Sequence, residues 1–93
     1  MGFQSSSHFQ TVVSNIQNIL LDIYYKRNES QVTEMMIRFQ YYMDGLRDSR
    51  FITRKQYNTF MQMALEASKW GETPFLKFRG ELPLAIKKIL WDK

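Results

Sequence analysis

The spacing of apolar residues between positions 30 and 70 constrains the fold more than any other feature of this chain. Apolar side chains recur there every three or four residues, which places them on one face of an α-helix. The pattern stops at a short basic connection over 47–55 and then resumes with the same spacing. Two helices joined in this way predict a helical hairpin, whose apolar positions are Val32, Met35, Met36, Phe39, Tyr42, Met43, Leu46, Tyr57, Phe60, Met61, Ala64 and Ala67.

The segment before the hairpin has the same helical periodicity. Cations at Lys26 and Arg27 suit the negative end of a helix dipole, so this first helix is expected to end there. We therefore predict an all-α fold with three main helices, at about 7–27, 31–47 and 53–70, packed as a small bundle. The whole of 1–93 is expected to form one domain, with residues 1–6 frayed. The stripe on the first helix consists of Phe9, Val12, Val13, Ile16, Ile19, Leu20 and Ile23.

Short local motifs predict where the second and third helices begin and end. Ser30 is the expected N-cap of the second helix, and Gly45 tolerates the left-handed conformation of a helix stop. Thr53 followed three residues later by Gln56 is a capping box, which predicts the start of the third helix.

The C-terminal quarter is harder to interpret from sequence. Gly80 and Pro83 interrupt any long helix, so an irregular or short-helical segment is expected over 72–93. A final helix from Pro83 is expected to bury Leu84, Ile86, Leu90 and Trp91.

The residue inventory argues against catalysis and against bound metals. The chain has no cysteine, which excludes disulfides and thiolate ligands. The one histidine, His8, has no acid or nucleophile at a plausible spacing, and the four glycines are isolated rather than grouped in a phosphate loop. We therefore expect no enzyme activity, no cofactor and no metal. The absence of a long apolar run or secretory leader predicts a cytoplasmic protein without a membrane span.

Basic residues around the hairpin connection suggest one possible function. The net charge is +4, and four of the basic side chains fall within 47–55. A helix-turn-helix protein would place the start of the third helix, including Gln56 and Asn58, against base edges. A helical DNA- or RNA-binding protein is therefore the alternative function, with the binding residues Arg47, Arg50, Arg54 and Lys55.

A second set of apolar residues favours a different function. Leu21 and Tyr25 on the first helix, and Ile37 and Tyr41 on the second, lie about 100 to 160° away from the core stripes. Either the C-terminal segment covers them, or they contact another protein or a second copy. The preferred prediction is a non-enzymatic adaptor, regulator or inhibitor that binds a protein partner through these four residues and forms a homo-oligomer.

Overall fold

The computed structural model of the protein describes residues 2–25, 29–69 and 81–92, with side chains from residue 8 onwards. Four α-helices make up almost all of these residues: α1 (Gly2–Tyr25), α2 (Glu29–Asp48), α3 (Arg54–Ser68) and α4 (Leu82–Trp91). No strand occurs within the described ranges. The predicted all-α class is confirmed, and the three predicted main helices correspond to α1, α2 and α3.

Helix α1 lies at the centre of the bundle and packs against each of the other three helices. Its predicted stripe is buried or half-buried, as are the stripes of α2 and α3, so the periodicity identified the core correctly. Burial of these side chains supplies most of the driving force for folding, since isolated helices of this length are marginal in water. The fully buried large side chains are Val12, Ile16, Leu20, Ile23, Phe39, Met43, Phe60, Leu82 and Ile86.

The first helix begins earlier than predicted. The backbone is helical from Gly2, before the predicted start at about residue 7. Serine has a helix propensity within the ordinary range, at a cost of less than about 0.7 kcal/mol per residue relative to alanine, so the serines at 5–7 continue the helix. The expectation that residues 1–6 are frayed stays a prediction. Predicted features at 26–28 and 70–80 lie outside the described residues.

The end of α2 is set by Arg50 and not by Gly45. The helix continues three residues past Gly45, and Arg50 takes the left-handed backbone conformation, with φ of 64°. The Arg50 amide donates to the Arg47 carbonyl at 2.9 Å, and the Phe51 amide donates to the Leu46 carbonyl at 2.8 Å. This pair of bonds is a Schellman motif, which satisfies carbonyls that the helix end would leave unpaired. The helix therefore ends at Asp48, one residue beyond the predicted bound at 47 and not at the glycine.

The start of α3 carries the predicted capping box and a second, unpredicted role for Gln56. The Gln56 amide donates to Thr53 Oγ1 at 3.1 Å, and Thr53 donates its amide to Gln56 Oε1 at 2.7 Å. Gln56 Nε2 then donates to the carbonyls of Ile89, Leu90 and Asp92, at 2.8, 3.3 and 3.2 Å. One side chain, 2% exposed, thus joins the beginning of α3 to the end of α4.

The C-terminal segment forms a regular helix of ten residues, with a proline in its first turn. Its register differs from the prediction in one respect, because Leu84 is exposed while Leu82 is buried. Trp91 is also largely exposed, but one face of its ring stacks on Phe9 of α1, with centroids 5.8 Å apart and planes 7° apart. The positions of α4 that the structure buries are Leu82, Ile86 and Leu90.

Candidate functional site

An open groove of about 790 Å³ lies between α2 and α3. The hairpin is antiparallel, so the first half of α2 lies beside the last half of α3. Apolar side chains from both helices line the groove, and Glu29 is the one charged group among its described lining residues. The apolar lining residues are Val32, Met36, Ile37, Met61 and Leu65, and the other polar ones are Thr33, Gln40 and Ser68.

Large hydrophobic side chains are exposed along this groove and beside it. Ile37 is 46% exposed and Leu65 44%, and both line the groove. Tyr41 lies one helical turn beyond Ile37 and is 72% exposed. These three are half of the six large hydrophobic residues that are exposed in the described part of the chain. We call this surface the α2–α3 face and define it by Ile37, Tyr41 and Leu65 with the groove residues Met36 and Met61.

The structure separates the four residues predicted to bind a partner. Ile37 and Tyr41 belong to the α2–α3 face. Tyr25 is about half exposed, and its ring meets the Tyr24 ring edge to face, with centroids 5.2 Å apart. Leu21 is half-buried and packs against the core. The sequence prediction assumed a narrow buried stripe on α1, but this central helix is covered by three neighbours, so its buried arc is wider.

Two kinds of residue on this face were missed by the sequence analysis. Met36 and Met61 were assigned to the core, whereas both are half-buried and line the groove. Leu65 was not singled out at all. It follows the buried Ala64 and projects about 100° away from the α3 core stripe. An aliphatic residue off the stripe was the signal used for Ile37, and it would have identified Leu65 as well.

At the turn end of the hairpin, polar contacts join α2 to α3. Tyr57 on α3 donates its hydroxyl to Asp44 Oδ1 on α2 at 2.9 Å. The Arg47 guanidinium lies 3.7 Å from the same Asp44 oxygen and 4.5 Å from the centroid of the Tyr57 ring. The hydrogen bond to Asp44 raises the pKa of the Tyr57 hydroxyl, and burial and the Asp44 charge act in the same direction. Tyr57 therefore remains a protonated donor at neutral pH, and this contact holds α2 against α3.

The predicted nucleic-acid residues are only partly available. Arg50, Arg54 and Lys55 are exposed around the turn. Arg47 is engaged with Asp44 and Tyr57, as described above. The amide of Gln56 is buried and bonded to α4, so it cannot read a base edge as the alternative function assumed. All four predicted cations are therefore exposed, with Arg47 paired to Asp44, but one of the two expected base-reading side chains, Gln56, is buried.

The described residues contain no cluster that could hold a metal ion. His8 packs its ring edge-on against Phe51, with centroids 5.0 Å apart. Over 2–25, 29–69 and 81–92 no three histidine, cysteine, aspartate or glutamate side chains are grouped as metal ligands would be. None of the helices in those ranges combines the length and the apolar character needed to cross a bilayer.

Comparison with known proteins adds no relative. No protein-family model matches the chain, and no curated protein sequence or solved structure is detectably similar to it.

Proposed function

We propose that this chain is a small, non-catalytic interaction module that binds protein through the α2–α3 face. One observation carries the proposal: Ile37 and Leu65 are both exposed and line one groove between two adjacent helices, and Tyr41 is exposed one turn beyond Ile37. Scattered hydrophobic residues are normal on a protein surface, but a contiguous group beside an apolar groove is typical of a binding site.

The shape and lining of the groove favour a helix as the bound element. An amphipathic helix places its apolar face in a hydrophobic groove and leaves its polar face in water. The groove here is open and lies between two helices, and most of its described lining residues are apolar. Met36 and Met61 add flexible side chains, which adapt to the shape of a bound apolar surface.

Protein binding accounts for the surface better than nucleic-acid binding does. A phosphate backbone requires several available cations, and its contacts make affinity strongly dependent on salt. The exposed cations Arg50, Arg54 and Lys55 lie at the turn of the hairpin. The exposed aliphatic residues Ile37 and Leu65 lie on the α2–α3 face, where nucleic-acid binding gives them no role.

Site-directed photo-cross-linking tests the proposal. A photoreactive amino acid in place of Leu65 is expected to form a protein adduct when the chain is irradiated in a lysate of its host. Adding Ile37→Glu should lower the adduct yield at least about tenfold, because a carboxylate buried in an apolar contact costs several kcal/mol and 1.4 kcal/mol is a factor of ten. The matched control places the photoreactive group at Leu84, which is also exposed, on a helix that packs against α1 and α3.

The same experiment separates the two functions. Protein binding predicts that the adduct survives nuclease treatment and the double change Arg54→Glu with Lys55→Glu. Equal yields from positions 65 and 84, or an adduct that disappears with nuclease or with the double change, would contradict the proposal.

A further inference from the structure

A row of exposed residues runs obliquely across the outer side of α2 and crosses the α2–α3 face at Ile37 and Tyr41. Five positions spaced four apart are all exposed: Glu29, Thr33, Ile37, Tyr41 and Gly45. Residues at this spacing form one ridge on a helix surface. Ile37 is in the middle of the ridge, with a large residue on one side of it and a small one on the other.

We infer that the occupant of this surface is a second copy of the chain, packed with its α2 antiparallel to the first and with a two-fold axis near Ile37. The inference rests on the proposed function and names the partner at the same site. A two-fold interface requires a surface that complements itself, because each residue meets the same surface on the other copy. Both the sizes and the charges along α2 meet this requirement.

The side chains along the ridge are complementary in size. Rotation about an axis at Ile37 brings Tyr41 level with Thr33 of the second copy, since each lies four residues, or about 6 Å, from the axis. A parallel arrangement would instead set Tyr41 level with Tyr41 and Thr33 level with Thr33.

The charges beside the ridge also favour the antiparallel arrangement. Glu34 and Arg38 are exposed on the same flank of α2, on either side of Ile37. Antiparallel packing keeps the two flanks together and places Arg38 about 3 Å along the axis from Glu34 of the second copy. Parallel packing would set each flank against the opposite flank of the second copy, which leaves Glu34 without Arg38 across the contact. Opposite charges across an interface fix its register.

Cysteine cross-linking tests this arrangement cleanly because the chain contains no cysteine. A disulfide forms only where two Cα atoms come within about 7 Å, so each single variant reports one distance. Ile37→Cys is expected to form a covalent dimer under mild oxidation, with a yield about tenfold above that of the control Leu84→Cys. Thr33→Cys mixed with Tyr41→Cys should give the mixed dimer, while each of these two variants alone should stay near the control level.

The outcomes test three claims separately: the antiparallel packing, the second copy as the occupant, and the proposed function. Self-linking of Thr33→Cys and of Tyr41→Cys would overturn the antiparallel arrangement in favour of a parallel one. Yields at the Leu84→Cys level for all variants and mixtures, with circular dichroism confirming that they are folded, would overturn the second copy as occupant. In that case a cross-link from position 65 to a different protein would still support the proposed function. If no such cross-link formed, both the second copy and the proposed function would be contradicted.

Discussion

Replacing Gln56 with leucine is expected to destabilise the folded chain by about 2 to 4 kcal/mol, because two sets of hydrogen bonds are lost together. The change removes the acceptor of the Thr53 amide and also the donor to the carbonyls at the end of α4. Those carbonyls would then face an apolar side chain. Urea denaturation monitored by circular dichroism gives the free energy of unfolding for the comparison.

Two further variants isolate the cause of that effect. Gln62→Leu changes the same residue type at an exposed position of α3 and is expected to alter stability by less than about 0.5 kcal/mol. Gln56→Glu keeps an acceptor for the capping box but lacks the amide donor, and its negative charge would face the carbonyls of α4. We expect it to be destabilising as well. If Gln56→Leu were as stable as Gln62→Leu, the docking of α4 on the start of α3 would be contradicted.

Leu82→Ala is expected to cost about 2 to 5 kcal/mol, because the side chain is fully buried and its removal leaves a cavity. Leu84→Ala is the matched control, with the same chemical change two positions away on the same helix. Leu84 is 48% exposed, so its truncation should cost less than about 1 kcal/mol. The same denaturation measurement compares the two variants. If the two variants lost the same free energy of unfolding, or Leu84→Ala lost more, α4 would pack in the register predicted from sequence, with Leu84 buried.

The first three helices were predictable because each has a long stripe of apolar residues with helical spacing. Seven apolar residues on α1 leave one orientation that buries them, and the structure has that orientation. The ten residues of α4 carry apolar side chains on more than one face. Which face is buried depends on contacts with α1 and α3, and these contacts are distant in sequence.

At the helix ends, too, local motifs were predictable from sequence and long-range contacts were not. The capping box at Thr53 and Gln56 is local, so the sequence predicted it. The bonds from Gln56 to residues more than 30 positions away could not be predicted from a local motif. Gly45 was one possible residue for the left-handed position after α2, yet Arg50 takes that position at a cost of about 1 to 2 kcal/mol.

The candidate site was partly predictable for a related reason. Ile37 and Tyr41 lie off the core stripe of a helix at the edge of the bundle, so they are exposed. Leu21 lies off the stripe of a helix at the centre, so its neighbours cover it. Sequence periodicity gives the direction in which a side chain projects. It does not show how many other helices pack around the helix that carries the side chain. The role of Ile37 and Tyr41 in binding remains a prediction.

Light scattering across a range of protein concentrations tests most directly whether the α2–α3 face is an association surface for a second copy. The wild-type chain and Leu84→Glu are expected to reach the mass of two chains as concentration rises. Ile37→Glu should remain at the mass of one chain while keeping its helical circular dichroism, because it places a charge at the centre of the proposed contact. A wild-type chain that stays at the mass of one chain throughout, or Ile37→Glu reaching the mass of two, would contradict the account.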